Sequence, residues 1–186
     1  MQQNYYEYVK DMFTTTSKSI NPIFMRKSAI IVVRNCDKSK TKTIDNLSSY
    51  GLTQSYILGF SLRKIMNMNN LGDVNKVFVK NKSIDVTSYN TIEPYIEWSN
   101  IKDICEYDAS ISADEFQLEP DNCKLVVGSL KDLWGDKDNK FPHVGSILYT
   151  LNQHFDIDNE NIIFPESGKS VYIYNKNQLK VYNTHF

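Results

Sequence analysis

Histidine is nearly missing from this sequence. Three occur, His143, His154 and His185, all in the last quarter of the chain. Over the first 142 residues this excludes a catalytic imidazole, and with no Cys-x-x-Cys pair a structural zinc site is not expected. Cysteine is sparse too: Cys36, Cys105 and Cys123 are odd in number and lack metal spacing. Reduced thiols in an intracellular, cytoplasmic setting are the expectation. Long apolar runs are absent, since a run such as AIIVV at 29–33 falls far short of the ~20 residues that span a bilayer. The N-terminal MQQNYYEYVKDMF carries acidic residues and no apolar core, so a secretory leader is not expected. Neither sign of charge dominates, with 21 Lys and Arg against 22 Asp and Glu. No basic field therefore argues for nucleic acid. Glycine and proline number only 7 and 5, while Asn, Lys, Ile and Tyr are plentiful. That bias suits an AT-rich genome of a protist, a low-GC bacterium or a large DNA virus.

What is present reads as one α/β domain. At 186 residues, 41% of them hydrophobic, the chain can bury a substantial core. Residues 1–27 form an N-terminal arm with a short helix expected from Tyr5 to Phe13, and 28–186 form the domain. AIIVV is continuous and β-branched, the mark of a strand buried on both faces. A polar loop follows, then a helix that Thr53 can cap, running to about Met68. Strands are expected at NKVFVKN (75–81), ICEY (104–107) and CKLVVGS (from 123). A helix start lies within 85–99, where Pro94 fits only a first turn. SADEFQLEP reads as a short acidic helix, LKDLW as a turn into another, and HVGSILYTLNQHF (143–155) as an amphipathic helix. SVYIYN and QLKVYN, joined by Lys176-Asn177, read as a hairpin. Strands alternating with helices predict a three-layer αβα sandwich around a mostly parallel sheet.

The order of certain segments carries more. A strand ends in Arg34-Asn35; LSSYGLTQSYILGFSL (47–62) opens the next helix; TSYNTIEP (87–94) follows the second strand. This resembles the histidine phosphatase superfamily, the phosphoglycerate-mutase-like proteins. There the first strand ends in Arg-His-Gly or Arg-His-Ala, a Leu-Ser/Thr-x-x-Gly-x-x-Gln segment opens the first helix, and an Arg-Ser-x-Gln-Thr-Ala-Glu-Pro stretch comes later. Thr91, Glu93 and Pro94 fall on matching positions, and the resemblance spans roughly residues 28–135. IIFPESGKSVYIYN is a candidate for the family's closing segment and last strand. In that family a histidine carries the phosphoryl group covalently, while two arginines and a second histidine stabilise transition-state charge. A carboxylic acid protonates the leaving oxygen.

Carried over one residue at a time, the resemblance places the first arginine at Arg34. The nucleophile falls on Asn35, whose amide forms no phosphoenzyme. The second arginine falls on Thr87, and the second histidine on the Gly128-Ser129-Leu130 turn, so Asn35, Thr87 and Leu130 are degenerate positions. Losing such a nucleophile costs on the order of 10⁶ in turnover. Losing a bracing guanidinium adds roughly 3 kcal/mol, by analogy with oxyanion donors. A single engineered change at Asn35 would not account for Thr87 and Leu130.

Cys36 and Asp37 lack the loop arginine or second aspartate that a cysteine or aspartyl phosphatase needs. His143, expected to open a helix after Phe141-Pro142, resembles a displaced catalytic histidine but suits a surface position. His154 suits a helix C-terminus. Glu106, Asp108, Asp114 and Glu115 could supply an acid but suit a solvated face. Arg34 and Lys38 are candidate anion-binding residues, with a loop-tying role for Arg34 as the plainer reading. Tyr5, Tyr6 and Tyr8 suit a partner surface, and Tyr172, Tyr174 and Tyr182 suit core packing. The expectation is a catalytically inactive member of this fold, a structural or interaction protein with a protein partner or self-association. It needs no cofactor or metal. A divergent phosphatase or phosphoryl-ligand-binding protein using Arg34 and His143, with a small phosphorylated ligand, is the alternative.

Overall fold

The computed structural model describes residues 25–39 and 46–184. The helix expected at Tyr5–Phe13 and the three arm tyrosines lie outside them. Along the described chain run β1 (Ala29–Arg34), α1 (Ser49–Met68), β2 (Asp73–Lys80), α2 (Thr87–Ser99) and β3 (Asp103–Tyr107). A 3-10 turn (Ala113–Phe116) leads to β4 (Asn122–Gly128) and the short α3 (Leu130–Leu133). Then come α4 (Ile147–Phe155), a second 3-10 turn (Asn159–Asn161), β5 (Ser170–Asn175) and β6 (Gln178–Asn183).

The six strands form one sheet in the order β3-β2-β4-β1-β5-β6. β1 lies parallel to β4, and β2 parallel to both β3 and β4, while β5 runs antiparallel to β1 and β6 antiparallel to β5. Alternation along each strand sends side chains to two separate cores. On one face Ile31, Val33, Val77, Leu125 and Ile173 meet Leu58 and Leu62 of α1 and Ile92 of α2. On the other, Ile30, Val32, Val126, Tyr172 and Tyr174 meet Leu133, Trp134, Leu148 and Leu151. β1 is buried on both faces, which is why AIIVV lacks alternation.

Several local expectations are corrected. Helix α1 starts four residues before Thr53: Ser48 is its cap, accepting from the Gly51 amide at 2.9 Å and donating to Asp37 Oδ2 at 2.7 Å. Thr53 instead lies inside the helix, its hydroxyl donating to the Ser49 carbonyl at 3.3 Å. Pro94 sits in the middle of α2, not its first turn. There it is buried, and tertiary packing offsets the amide bond it cannot donate. The helix expected from 143 begins only at Ile147, capped by Ser146, because Gly145 adopts φ 89°, outside helical geometry. His143 therefore belongs to the preceding turn. The hairpin is as expected, with Lys176 and Asn177 both at φ 40°.

Candidate functional site

The ends of β1, β2 and β4 converge at the carboxyl edge of the sheet, where open α/β folds place ligand sites. Arg34 pairs with Gly128 in the β1–β4 register, and the Asn35 amide donates to the Gly128 carbonyl at 2.9 Å. β1 is thereby held against β4 one residue beyond the strand. Past that point the two side chains part. Arg34 Nη1 donates to the Pro165 carbonyl at 2.7 Å, tying down the loop before β5. Burial lowers its pKa, with Tyr172 and Glu166 opposing. Asn35 is buried, and its Nδ2 donates to Thr87 Oγ1 at 3.0 Å at the start of α2.

Thr87 does not end that chain. Its hydroxyl and its amide (2.9 Å) both donate to Oδ1 of Asp85, and Lys38 Nζ donates to Asp85 Oδ2 at 2.6 Å. Burial alone would raise the Asp85 pKa, but the hydrogen bonds from Lys38 and Thr87 outweigh it and hold the carboxyl below its usual range. The two anion-binding candidates are thus engaged separately, Arg34 by a carbonyl and Lys38 by Asp85. Asn35 Oδ1 is buried with no hydrogen-bond partner among the described residues, as is Ser88 Oγ.

The loop after β1 is supported by the residues that carried the sequence resemblance. Gln54 accepts from the Asp37 amide at 2.8 Å and donates to the Ser167 carbonyl at 3.2 Å. A methyl group at Gly51 would lie 2.1 Å from the Asp37 carbonyl oxygen, so only glycine permits this approach. Thr91 Oγ1 accepts from the Cys36 amide at 2.9 Å. The Cys36 thiol is buried, and burial pushes its pKa up to about 12 despite the opposing Thr91 hydrogen bond. A thiol held protonated is no substitute nucleophile.

At the end of β4, a methyl group on Gly128 would lie 2.8 Å from the Tyr107 hydroxyl and 3.0 Å from Leu133 Cδ2. Ser129 and Asp132 form a reciprocal cap on α3, which Leu130 opens. Asp132 Oδ1 also accepts from Lys80 Nζ at 2.7 Å, with both side chains about nine-tenths buried (11% and 9% exposed). Lys80 lies 5.2 Å from the Tyr107 ring centroid, and the Tyr107 hydroxyl donates to the Val127 carbonyl at 2.9 Å. Burial raises the Tyr107 pKa, and the carboxylates of Asp132 and Asp85 raise it further. The Lys80–Asp132 pair and Asp85 were not anticipated from sequence. The signal for the first is a lysine directly after the apolar run Val77-Phe78-Val79, and for the second an Asp two residues before a helix start.

A cleft of about 1220 Å³ opens beside this cluster, with Lys38, Lys80, Asp85, Asp132, Leu130 and His143 among its lining residues. His143 donates its amide to the Trp134 carbonyl at 2.7 Å. Of the acidic stretch only Asp108 reaches the cleft, where it accepts from Asn81 at 2.9 Å. Glu115 pairs with Lys76 at 2.9 Å, Glu106 and Asp114 are exposed, and His154 packs edge-on against Phe155. Tyr172 and Tyr174 are buried and donate to the Ile163 carbonyl and Asn152, and Tyr182 donates to Asn69, all consistent with packing roles. Among the described residues no group of three or more His, Cys, Asp or Glu could hold a metal, and no helix is long and apolar enough to cross a membrane.

No family model matches the sequence, and no curated protein matches it. Solved structures do. A crystal structure of a protein put forward as the phosphohistidine phosphatase SixA of Agrobacterium tumefaciens superposes with a TM-score of 0.50 at 12% identity, covering 82% of this chain and 94% of that one. A second, put forward as SixA of Nakamurella multipartitia, gives a TM-score of 0.45 at 16% identity, covering 82% and 87%. With the strand order and the carboxyl-edge convergence described above, the chain has the αβα fold of the histidine phosphatases, the phosphoglycerate-mutase-like sandwich.

Proposed function

We propose that the protein is a catalytically inactive histidine-phosphatase-like protein that works as a structural or protein-interaction module. The observation that carries this reading is Asn35. At the end of β1, where the resemblance puts a phosphoryl-carrying histidine, a buried amide donates to Thr87. A carboxamide does not form a stable phosphoenzyme. Thr87 supplies a hydroxyl where a guanidinium would brace the transition state, and its hydroxyl is committed to Asp85. His143, the histidine of the cleft lining, is separated in role from Arg34, which is tied to Pro165. The partner would be a protein or a second copy of this chain.

The test is turnover. The purified protein is expected to hydrolyse neither p-nitrophenyl phosphate nor small phosphomonoesters above background, and to take up no acid-labile phosphate. Asn35→His alone should not restore activity, because Thr87 and Leu130 remain. Turnover abolished by both Arg34→Ala and His143→Ala would overturn this reading in favour of a divergent phosphatase. The interaction half is tested by deleting residues 2–20 and measuring mass by light scattering. A changed assembly state or loosened partner binding is expected. Unchanged mass and binding with a lower melting temperature would refute a role for the arm in assembly.

A further inference from the structure

The unexplained group at the site is Asp85. Nothing in the histidine-phosphatase resemblance assigned it a role, yet it is the residue about which the other polar groups are organised. Its two oxygens take three donors: the Thr87 amide, the Thr87 hydroxyl and the Lys38 ammonium. The first is a backbone N–H in the opening turn of the thirteen-residue helix α2, where the helix dipole favours negative charge. Asn35 Nδ2 adds a fourth donor one bond away, on Thr87 Oγ1. An ammonium, a helix-start amide and a hydroxyl that meet at the carboxyl edge of a mostly parallel sheet are donors suited to a tetrahedral oxyanion. In this chain the ammonium, the amide and the hydroxyl converge on the protein's own carboxylate, a side chain only 11% exposed, and the carboxamide stands behind the hydroxyl.

We infer that Asp85 is an intramolecular anion that occupies the remnant phosphoryl position, so that the site is closed to phosphate by the chain itself rather than merely emptied of catalytic groups. The carboxylate and a phosphate would need the same donors, and negative charge would oppose negative charge at contact distance. Tethering favours the internal ligand. Asp85 is two residues from Thr87, and a group on so short a tether competes at an effective concentration of mM or above. Free phosphate must outcompete that tethered group to displace it. Two independent features thus oppose phosphoryl chemistry here: Asn35 removes the carrier, and Asp85 fills the place of the cargo.

The inference rests on the inactive reading for its meaning, but its test does not use turnover, so the two can fail separately. Inorganic phosphate is titrated into the full chain by isothermal calorimetry and followed in parallel by thermal unfolding, with chloride at equal ionic strength as control. The wild type is expected to give no saturable heat in the millimolar range and no phosphate-specific rise in melting temperature. Asp85→Ser, which keeps a small acceptor for the helix start, should bind phosphate at least about tenfold more tightly than the wild type. Lys38→Ala added to Asp85→Ser should remove that gain. Asp85→Asn, which keeps the shape and drops the charge, should be intermediate and serves if Asp85→Ser does not fold. Wild-type phosphate binding that is weakened by Lys38→Ala would overturn the inference without any Asp85 variant. Folded Asp85→Ser and Asp85→Asn proteins that bind phosphate no better than the wild type would overturn it as well.

Discussion

Lys80→Met is the perturbation whose size the structure constrains best. Lys80 Nζ lies 2.7 Å from Asp132 Oδ1, and each side chain is about one-tenth exposed. At that separation the gross attraction is about 6 kcal/mol for an effective dielectric of 20, much of it offset by desolvating both charges. Methionine keeps the length and apolar stem that lies near the Tyr107 ring. What changes is that Asp132 Oδ1 loses its cation while Oδ2 stays bound to Ser129. Leaving one charge of a buried pair uncompensated costs about 3–5 kcal/mol. For a chain of this size 1 kcal/mol shifts Tm by about 2–4 °C, so a fall of roughly 6–20 °C is expected. Urea unfolding at pH 7 should show a lower midpoint with the slope unchanged, the mark of lost stability rather than an altered unfolded state. Adding Asp132→Asn removes the stranded charge while its amide oxygen still accepts from Ser129. The double variant should therefore recover more than half of the loss. If Lys80→Met loses less than about 1 kcal/mol, or if the double variant is no better than the single, the pair is not the desolvated contact described and the reasoning fails.

Two further outcomes follow from the shifted groups. The Asp85 carboxyl is held below its ordinary range when folded, so its stabilising contribution is present above the unfolded value of about 3.9 and is lost as pH falls through the lower folded value. Asp85→Asn should therefore be less stable than the wild type at pH 7, with the gap narrowing below pH ~4; a gap constant from pH 7 to pH 3 would contradict this. Burial holds the Cys36 and Cys123 thiols at about 12 and about 11, while Cys105 is partly exposed. Native protein at pH 8 should thus label at Cys105 first, with Cys36 and Cys123 reacting only on unfolding. Mass-mapped labelling that finds Cys36 modified in the folded state would show its pocket to be open.

The sequence alone determined the layers of this protein, because hydrophobic patterning is a local record of a global arrangement. AIIVV has to be buried on two faces, and a strand so buried needs helices on both sides. Alternation of such strands with helices leaves few topologies. The positions that the resemblance singles out, Asn35, Thr87 and the Gly128–Leu130 turn, could be located in the sequence because each lies a short way after an apolar strand run, and their identities need no coordinates. Boundaries set by long-range contact were not legible. Ser48 caps α1 in place of Thr53 because Asp37, eleven residues earlier, folds back to meet it. Pro94 lies inside α2 because its burial in the folded chain outweighs the local penalty. Nor could sequence place Lys80 on Asp132, fifty-two residues away, or Lys38 on Asp85, forty-seven away. Nothing near either lysine in the chain names its partner. A charge at a strand end is paired or exposed according to what the fold brings beside it, and that juxtaposition was decided by the tertiary structure.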